Sequence, residues 1–318
     1  MRLFKDAKYQ FIEARQKAYV VSVTVLLGGV AAISINIATL GSWQVYGVDF
    51  TGGSLVQVRF DTPMTAGDLR DALGGVQAPP ITRFGEDNEF VIRAPIAEGA
   101  SITGVADEIE SDLAVAFGAG NFEVVRTEAV GAKVGGELQL KALYAILFSF
   151  FLTLMYLAIR FELRFGLAAV IATLHDILIT LGFLAAFRVE IALPTVAAIL
   201  TILGYSLNDT IVVFDRIREN MHKKGARKRD QTELVNESIN DTLPRTILTS
   251  STTLAVLFAL LLLGGTVIRD FALVLILGVI IGTYSSIFVA SPALIEIQKK
   301  WGLGKSGDKK KRPQPATV

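Results

Sequence analysis

Two rhythms of hydrophobic and polar positions divide the chain. Long apolar runs occupy 18–40 and, approximately, 142–159, 165–187, 192–214, 246–264 and 270–295. Each is long enough to cross a bilayer as a helix. Between them, residues 41–140 read differently. SLVQVRF (54–60) alternates apolar and polar positions as a strand does, and TAGDLRDAL (65–73) opens on a threonine cap and predicts a helix. A short strand near 81–84, FVIRA (90–94), a helix over 101–117 and a strand over 122–130 complete the order β-α-β-β-α-β, the ferredoxin-like plan. About one hundred residues suffice for one such core. The pattern therefore predicts a polytopic α-helical membrane protein with six transmembrane helices and an external α+β ferredoxin-like domain between the first and second.

Composition agrees with this division and adds a direction. The chain has 318 residues, is 52% hydrophobic and has a mean hydropathy of +0.50, high for a protein without membrane spans. Its net charge of +1 conceals strong asymmetry. Residues 41–140 carry six basic residues against fifteen acidic ones, a balance of 6 − 15 = −9. Positive charge concentrates instead in 1–17, in the RFELR turn at 160–164, in the connection 215–245 and in the tail 297–318. Positively charged loops stay on the cytoplasmic side. Both termini and 215–245 are therefore expected in the cytoplasm, with 41–140 outside. The uncharged run 18–40 is too long for a signal peptide and lacks a convincing cleavage site, so it reads as the first span. Basic segments beside the membrane set orientation and touch anionic lipid. Cysteine is absent, which excludes disulfides and thiolate metal sites; two histidines, His175 and His222, exclude a histidine-rich metal centre.

Candidate chemistry lies in the spans. A carboxylate in hydrocarbon costs roughly 2.5–3.5 kcal/mol on insertion scales, so such a group is usually paired, turned inward or used. His175, Asp176, Asp209 and Arg245 lie in or at the rim of the predicted spans, with Asn208 beside Asp209 and Thr249 one turn beyond Arg245. Thr201, Tyr205 and Asp209 share one helix face, and Asp176 shares a face with Thr173 and Thr180. Asp209 and Arg245 approach the same side of the membrane on successive spans, so a contact between them is sterically reasonable. Two readings stay open. One is a static ion pair that fixes helix register. The other is a proton site, because a carboxylate that loses its cation takes up a proton more readily. His175 alone suggests packing or hydrogen bonding, and Asp215 a solvated face. Gly278 and Gly282 form a small-xxx-small pair suited to close helix packing. Upstream, GVDFTGGS (47–54) holds Gly47, Asp49, Phe50, Gly52 and Gly53. It lacks the Lys-Ser/Thr pair of a phosphate-binding loop, so a tight glycine turn entering a strand is favoured.

GVDFTGGS, His175-Asp176, GYSLNDTIVVFDRIREN (204–220) and TLPRTILTSSTT (242–253) together resemble the SecF family of bacterial protein-export membrane subunits, relatives of the RND transporters. The similarity runs from the first span to the last. The resemblance implies pairing with SecD, work beside the SecYEG translocon on exported unfolded preprotein, and residence in the bacterial cytoplasmic (inner) membrane. It also implies use of the proton-motive force, with protons as coupling ion, no cofactor and no covalent catalysis. The family's membrane aspartate falls on Asp209 and its arginine on Arg245. Nucleic acid is not expected among the partners. Three other classes compete: half of an RND small-molecule exporter, a structural scaffold, and an intramembrane aspartyl protease using Asp176 and Asp209. The Ser-Leu-Asn-Asp context of Asp209 does not match the Gly-x-Gly-Asp turn of that protease class.

Overall fold

The computed structural model describes residues 8–75, 78–84, 88–94, 104–223 and 229–301. Residues 1–7, the first turn of the helix expected at 101–117, Lys224–Lys228 of the basic connection and the tail beyond 301 lie outside the described residues.

Four strands, β1 (Gly53–Phe60), β2 (Ile81–Phe84), β3 (Glu89–Ala94) and β4 (Phe122–Val130), form one sheet in the order β2-β3-β1-β4 with antiparallel neighbours throughout. With α3 (Ala66–Ala72) and α4 (Gly104–Phe117) this is the ferredoxin-like plan. Thr65 and Asp68 start α3 with a reciprocal capping box. Val56, Val58, Phe60, Phe90 and Ile92 meet Leu69, Ile109 and Leu113 in the domain core. The alternation in β1 suggested one wet face, but seven of its eight residues are buried. On the face away from this core, Leu55 packs on Val48 and Val91, while Gln57 and Arg59 bind the buried carboxylate of Glu89. This second face is closed by Val48 and Phe84 and by polar pairs within the sheet itself.

Among the described residues, six helices are long and apolar enough to cross a membrane. They are α1 (Arg15–Leu40), α5 (Ala132–Arg160), α6 (Leu163–Ala186), α7 (Leu193–His222), α8 (Gln231–Leu263) and a last span. That last span comprises α9 (Gly265–Ser285), a π-helical turn at Ser286–Ala290 and α10 (Ser291–Trp301). Exposed Val, Leu, Ile and Phe side chains coat α1, α5 and much of α8, as lipid-facing surfaces require, whereas α6, α7 and the last span form the buried centre.

Three boundaries differ from the sequence reading. The helix that carries the second span begins at Ala132, ahead of the apolar run near 142, because the chain turns helical directly after Gly131, while still polar. The connection 215–245 is mostly helix: α7 continues to His222 and α8 starts at Gln231, where Asp230 accepts from the amides of Thr232 and Glu233 at 3.1 and 3.3 Å. These extensions are amphipathic and bury Ile217, Leu234, Val235 and Ile239 in a core beyond the apolar spans, a patterning that a search for long apolar runs passes over. The expected glycine turn contains one helical turn, α2 (Val48–Thr51), before Gly52 and Gly53, whose φ angles of 72° and 125° favour glycine.

Candidate functional site

α7 runs through the middle of the bundle between α6, α8 and α9. Gly278 of α9 lies against Ile202, and Gly282 lies against Ser206, where a methyl group would stand 2.9 Å from the serine Cβ. These small residues let α9 approach α7 closely. Two aspartates are buried in this packing, Asp176 at 2% exposure and Asp209 at 3%.

Asp176 is satisfied from several elements. His175 Nδ1 lies 2.9 Å from Oδ1, and Ser206 Oγ of α7 donates to Oδ2 at 2.5 Å. His175 Nε2 continues to Ser22 Oγ of α1 at 3.1 Å, and Ser22 reaches Tyr284 OH of α9 at 3.2 Å. Tyr284 donates to the carbonyl of Ala18 at 2.8 Å and stacks beside the His175 ring. Four helices thus share one polar network. Thr173 and Thr180 are buried on the same helix but bond backbone carbonyls, not the carboxylate.

Asp209 is different. Its Oδ2 is buried without a hydrogen-bond partner among the described residues. Thr283 of α9 and Arg245 lie within electrostatic reach of the carboxyl group, the Thr283 hydroxyl itself donating to the carbonyl of Val279 at 2.8 Å. No ion pair within 4.0 Å joins Asp209 to Arg245, so the contact suggested by the sequence is not closed in this conformation. Arg245 and Asn208 are exposed, and Asn208 lines a groove between α5 and α7. Thr249 is exposed and donates to the carbonyl of Arg245 at 3.0 Å. Ser250 is buried and meets Thr283 at 2.7 Å, with Tyr205 OH reaching Ser250 at 3.4 Å. The hydroxyl-bearing face of α8 therefore turns partly toward Asp209 and partly outward. Asp176 and Asp209 share no hydrogen bond, so the two do not form a carboxylate dyad.

The GVDFTGGS motif acts at the other end of α7. Asp49 Oδ2 accepts from Leu193 N at 2.9 Å, satisfying one free amide at the helix start. Gly47 N donates to the carbonyl of Ile191, and Ile191 N to that of Val45, each at 2.9 Å. Phe50 is buried beside Tyr46, and Gly52 packs on Gly135 of α5. Arg93 of β3 pairs with Glu190, adding a charged tie between the domain and the α6–α7 turn.

The structure thus brings His175 and Asp176 into one network, sets Asp209 beside it along α7, and leaves Arg245, Asn208 and Thr249 at the surface of the bundle. Sequence reasoning missed Ser22, Ser206, Thr283 and Tyr284. Ser206 carried a signal, since it lies three residues before Asp209 on a facing position. Ser22 carried none, because a lone serine in an apolar run looks like any other small residue.

Comparison with known proteins follows the same geometry. The family model for the C-terminal part of the protein export membrane proteins SecD and SecF matches residues 111–300, and the SecD/SecF GG motif matches 45–64. The protein translocase subunit SecF of Gemmatimonas aurantiaca is 46% identical over 308 residues, covering 95% of this chain and 90% of the relative. That of Desulfurispirillum indicum is 46% identical over 88% of this chain and 90% of its own. The crystal structure of SecDF, a translocon-associated membrane protein from Thermus thermophilus, superposes with a TM-score of 0.79 at 37% identity. A super-membrane-facing form of SecDF gives 0.65 at 36%. Each match covers 94% of this chain and 40% of the SecDF chain, so the present chain spans two fifths of that length. With the GG motif at the start of α7, the buried aspartates in its path and a family model matching more than half its residues, the chain belongs to the SecF family of protein translocase subunits.

Proposed function

We propose that this subunit works with a SecD partner beside the SecYEG translocon, using the proton-motive force to promote preprotein translocation and release outside the bacterial inner membrane. Asp209 is the proton-binding group and Arg245 its alternating partner. His175 and Asp176 hold the surrounding helices. Basic segments facing the cytoplasm orient the chain, with the ferredoxin-like domain outside. The observation that carries this reading is the buried Asp209 oxygen without a partner, close to an arginine it does not touch. An unsatisfied buried polar atom costs about 1–3 kcal/mol, so protonation and pairing with Arg245 compete to relieve it. One charge crossing the full potential releases roughly 2.3 kcal/mol per 100 mV, enough to bias a conformational equilibrium substantially.

What supports the directional part is the connection at both ends of α7. Asp209 sits in its path, while Asp49 and the Gly47–Ile191 ladder fasten its first turn to the domain. A shift of α7 on protonation is therefore delivered to the ferredoxin-like domain.

Preprotein translocation into sealed vesicles, with and without a proton gradient, tests the reading. Asp209→Asn keeps the shape of the protonated acid, so it is expected to assemble with SecD and support gradient-independent translocation while losing the gradient-dependent gain. Full retention of that gain at matched membrane levels excludes Asp209 as the coupling group. Orientation is checked separately in this cysteine-free chain. A cysteine at Lys223 is expected to react with an impermeant maleimide only from the cytoplasmic side.

A further inference from the structure

Residues 9–13 precede α1 and lie against the start of α8, more than two hundred residues away in sequence. Two asparagines one turn apart on α8 hold them. Asn240 Oδ1 accepts from Tyr9 N at 3.0 Å, and its Nδ2 donates to Tyr9 O at 2.9 Å, so one amide reads both backbone groups of one residue. Asn236 Oδ1 accepts from Ile12 N at 3.0 Å, and its Nδ2 donates to Glu13 Oε2 at 2.8 Å. Ile12 is fully buried in the core formed with Leu234, Val235 and Ile239, and Phe11 packs edge-on against Phe288 of the last span. Arg15 then ties the start of α1 to Glu296 of α10.

The clasp lies directly below a weak point. Pro244 is inside α8, where it can make no amide bond to the carbonyl of Asn240, and proline in a helix interior kinks or loosens it. Arg245 is the next residue. The segment below the proline is therefore held by side chains from outside its own helix, and the arginine sits just above the joint. We propose that residues 9–13 form a strap that fixes the lower part of α8, and that Asn236 and Asn240 are positioning residues that set where Arg245 stands relative to Asp209. The proposal rests on the proton-coupling role given to those two residues. With the lower part clamped to α1 and the last span, movement of Arg245 is taken up at Pro244 and does not dissipate as a swing of the whole helix.

Chemistry at Asn236 supplies a test with a built-in rescue. Asn236→Asp sets a carboxylate against that of Glu13 and opens the strap. Adding Glu13→Gln exchanges amide and carboxylate and restores the hydrogen bond. Asn240→Ala removes the second clasp independently. Hydrogen exchange of the full chain, followed by mass spectrometry, reads the Tyr9 and Ile12 amides directly. Loss of a charge-assisted hydrogen bond predicts about tenfold faster exchange over 8–14 in Asn236→Asp. Both single variants are expected to keep gradient-independent translocation and lose most of the gradient-dependent gain, and Asn236→Asp/Glu13→Gln to recover protection and gain together. Unchanged exchange in the single variants removes the strap. Faster exchange with an intact gain, or a double variant that recovers protection without the gain, removes the positioning role. If Asp209→Asn itself keeps the gain, the positioning role falls with the proton reading, while exchange still decides whether the strap exists.

Discussion

Asp176 and Asp209 occupy neighbouring helices at nearly equal burial, yet their surroundings are opposite. Asp176 has both oxygens engaged by His175 and Ser206, and those partners reach on to α1 and α9. Asp209 has one oxygen without a partner and a cation held at a distance. A satisfied buried network rigidifies the elements it joins; an incompletely satisfied one stores a tendency to change. On the proposed reading, this contrast puts Asp176 in the frame and Asp209 in the moving part. Burial alone would have ranked them together.

The largest effect that sharpens this contrast belongs to Asp176→Ala, which strands His175 and Ser206 inside the bundle. Removing one member of a buried hydrogen-bonded set leaves each stranded partner unsatisfied, at about 1–3 kcal/mol apiece. The variant is expected to lose expression yield and melt well below Asp209→Asn in detergent. Equal melting of the two variants would erase the distinction between frame and moving part.

Gly282→Ala comes next. Its methyl group would press on the Ser206 backbone and side chain, both held by α7, so the neighbours cannot simply rotate away. Overpacking of this kind costs about 1–3 kcal/mol. A lowered melting temperature is expected, with Ser206 displaced from Asp176. Gly204→Ala on α7 meets open space and serves as the control, expected to melt no lower than the wild type.

Ser206→Ala leaves one Asp176 oxygen without its donor and is expected to cost about 1–2 kcal/mol, measured by the same melts. A null result would mean that His175 alone fixes the carboxylate.

The smallest effect lies outside the bundle, at a carboxylate in water. The Thr65 hydroxyl and amide hold the Asp68 carboxyl below its ordinary value. A group depressed in the folded state stabilises above its unfolded value and loses that contribution as pH falls through the folded one. Protection of the first turn of α3, corrected for intrinsic exchange, is therefore expected to decline at acid pH in the wild type. Thr65→Ala is expected to flatten this dependence.

Much of this architecture was legible because each layer follows a local rule. The strands at 81–84 and 122–130 appear where alternation and flanking residues set them, and β1 and β3 differ by one residue at their starts. Asp209 stood out because a carboxylate in an apolar run is costly. Its orphaned oxygen did not, since that depends on Thr283 and Arg245, contributed by two other helices. The role of Asp49 was equally hidden. Its partner is the amide of Leu193, a backbone group common to every residue but proline. Contacts to backbone from distant segments leave no mark in the composition of either one, and the clasp of Asn240 on Tyr9 is of the same kind.

The π-helical turn at Ser286–Ala290 sets the register of the last eleven helical residues among those described. A wide turn accommodates one residue more than an α-turn. Deleting a single residue there would let the backbone close into regular α-helix and leave α10 facing as it does now, whereas the same deletion in the regular helix of α9 would rotate everything beyond it by about 100°. In that second case Leu294 and Ile295, now buried, would swing out of the core, and Glu296 would leave Arg15. The wide turn is therefore a point in the last span where the number of residues, and not only their type, is free to change by one.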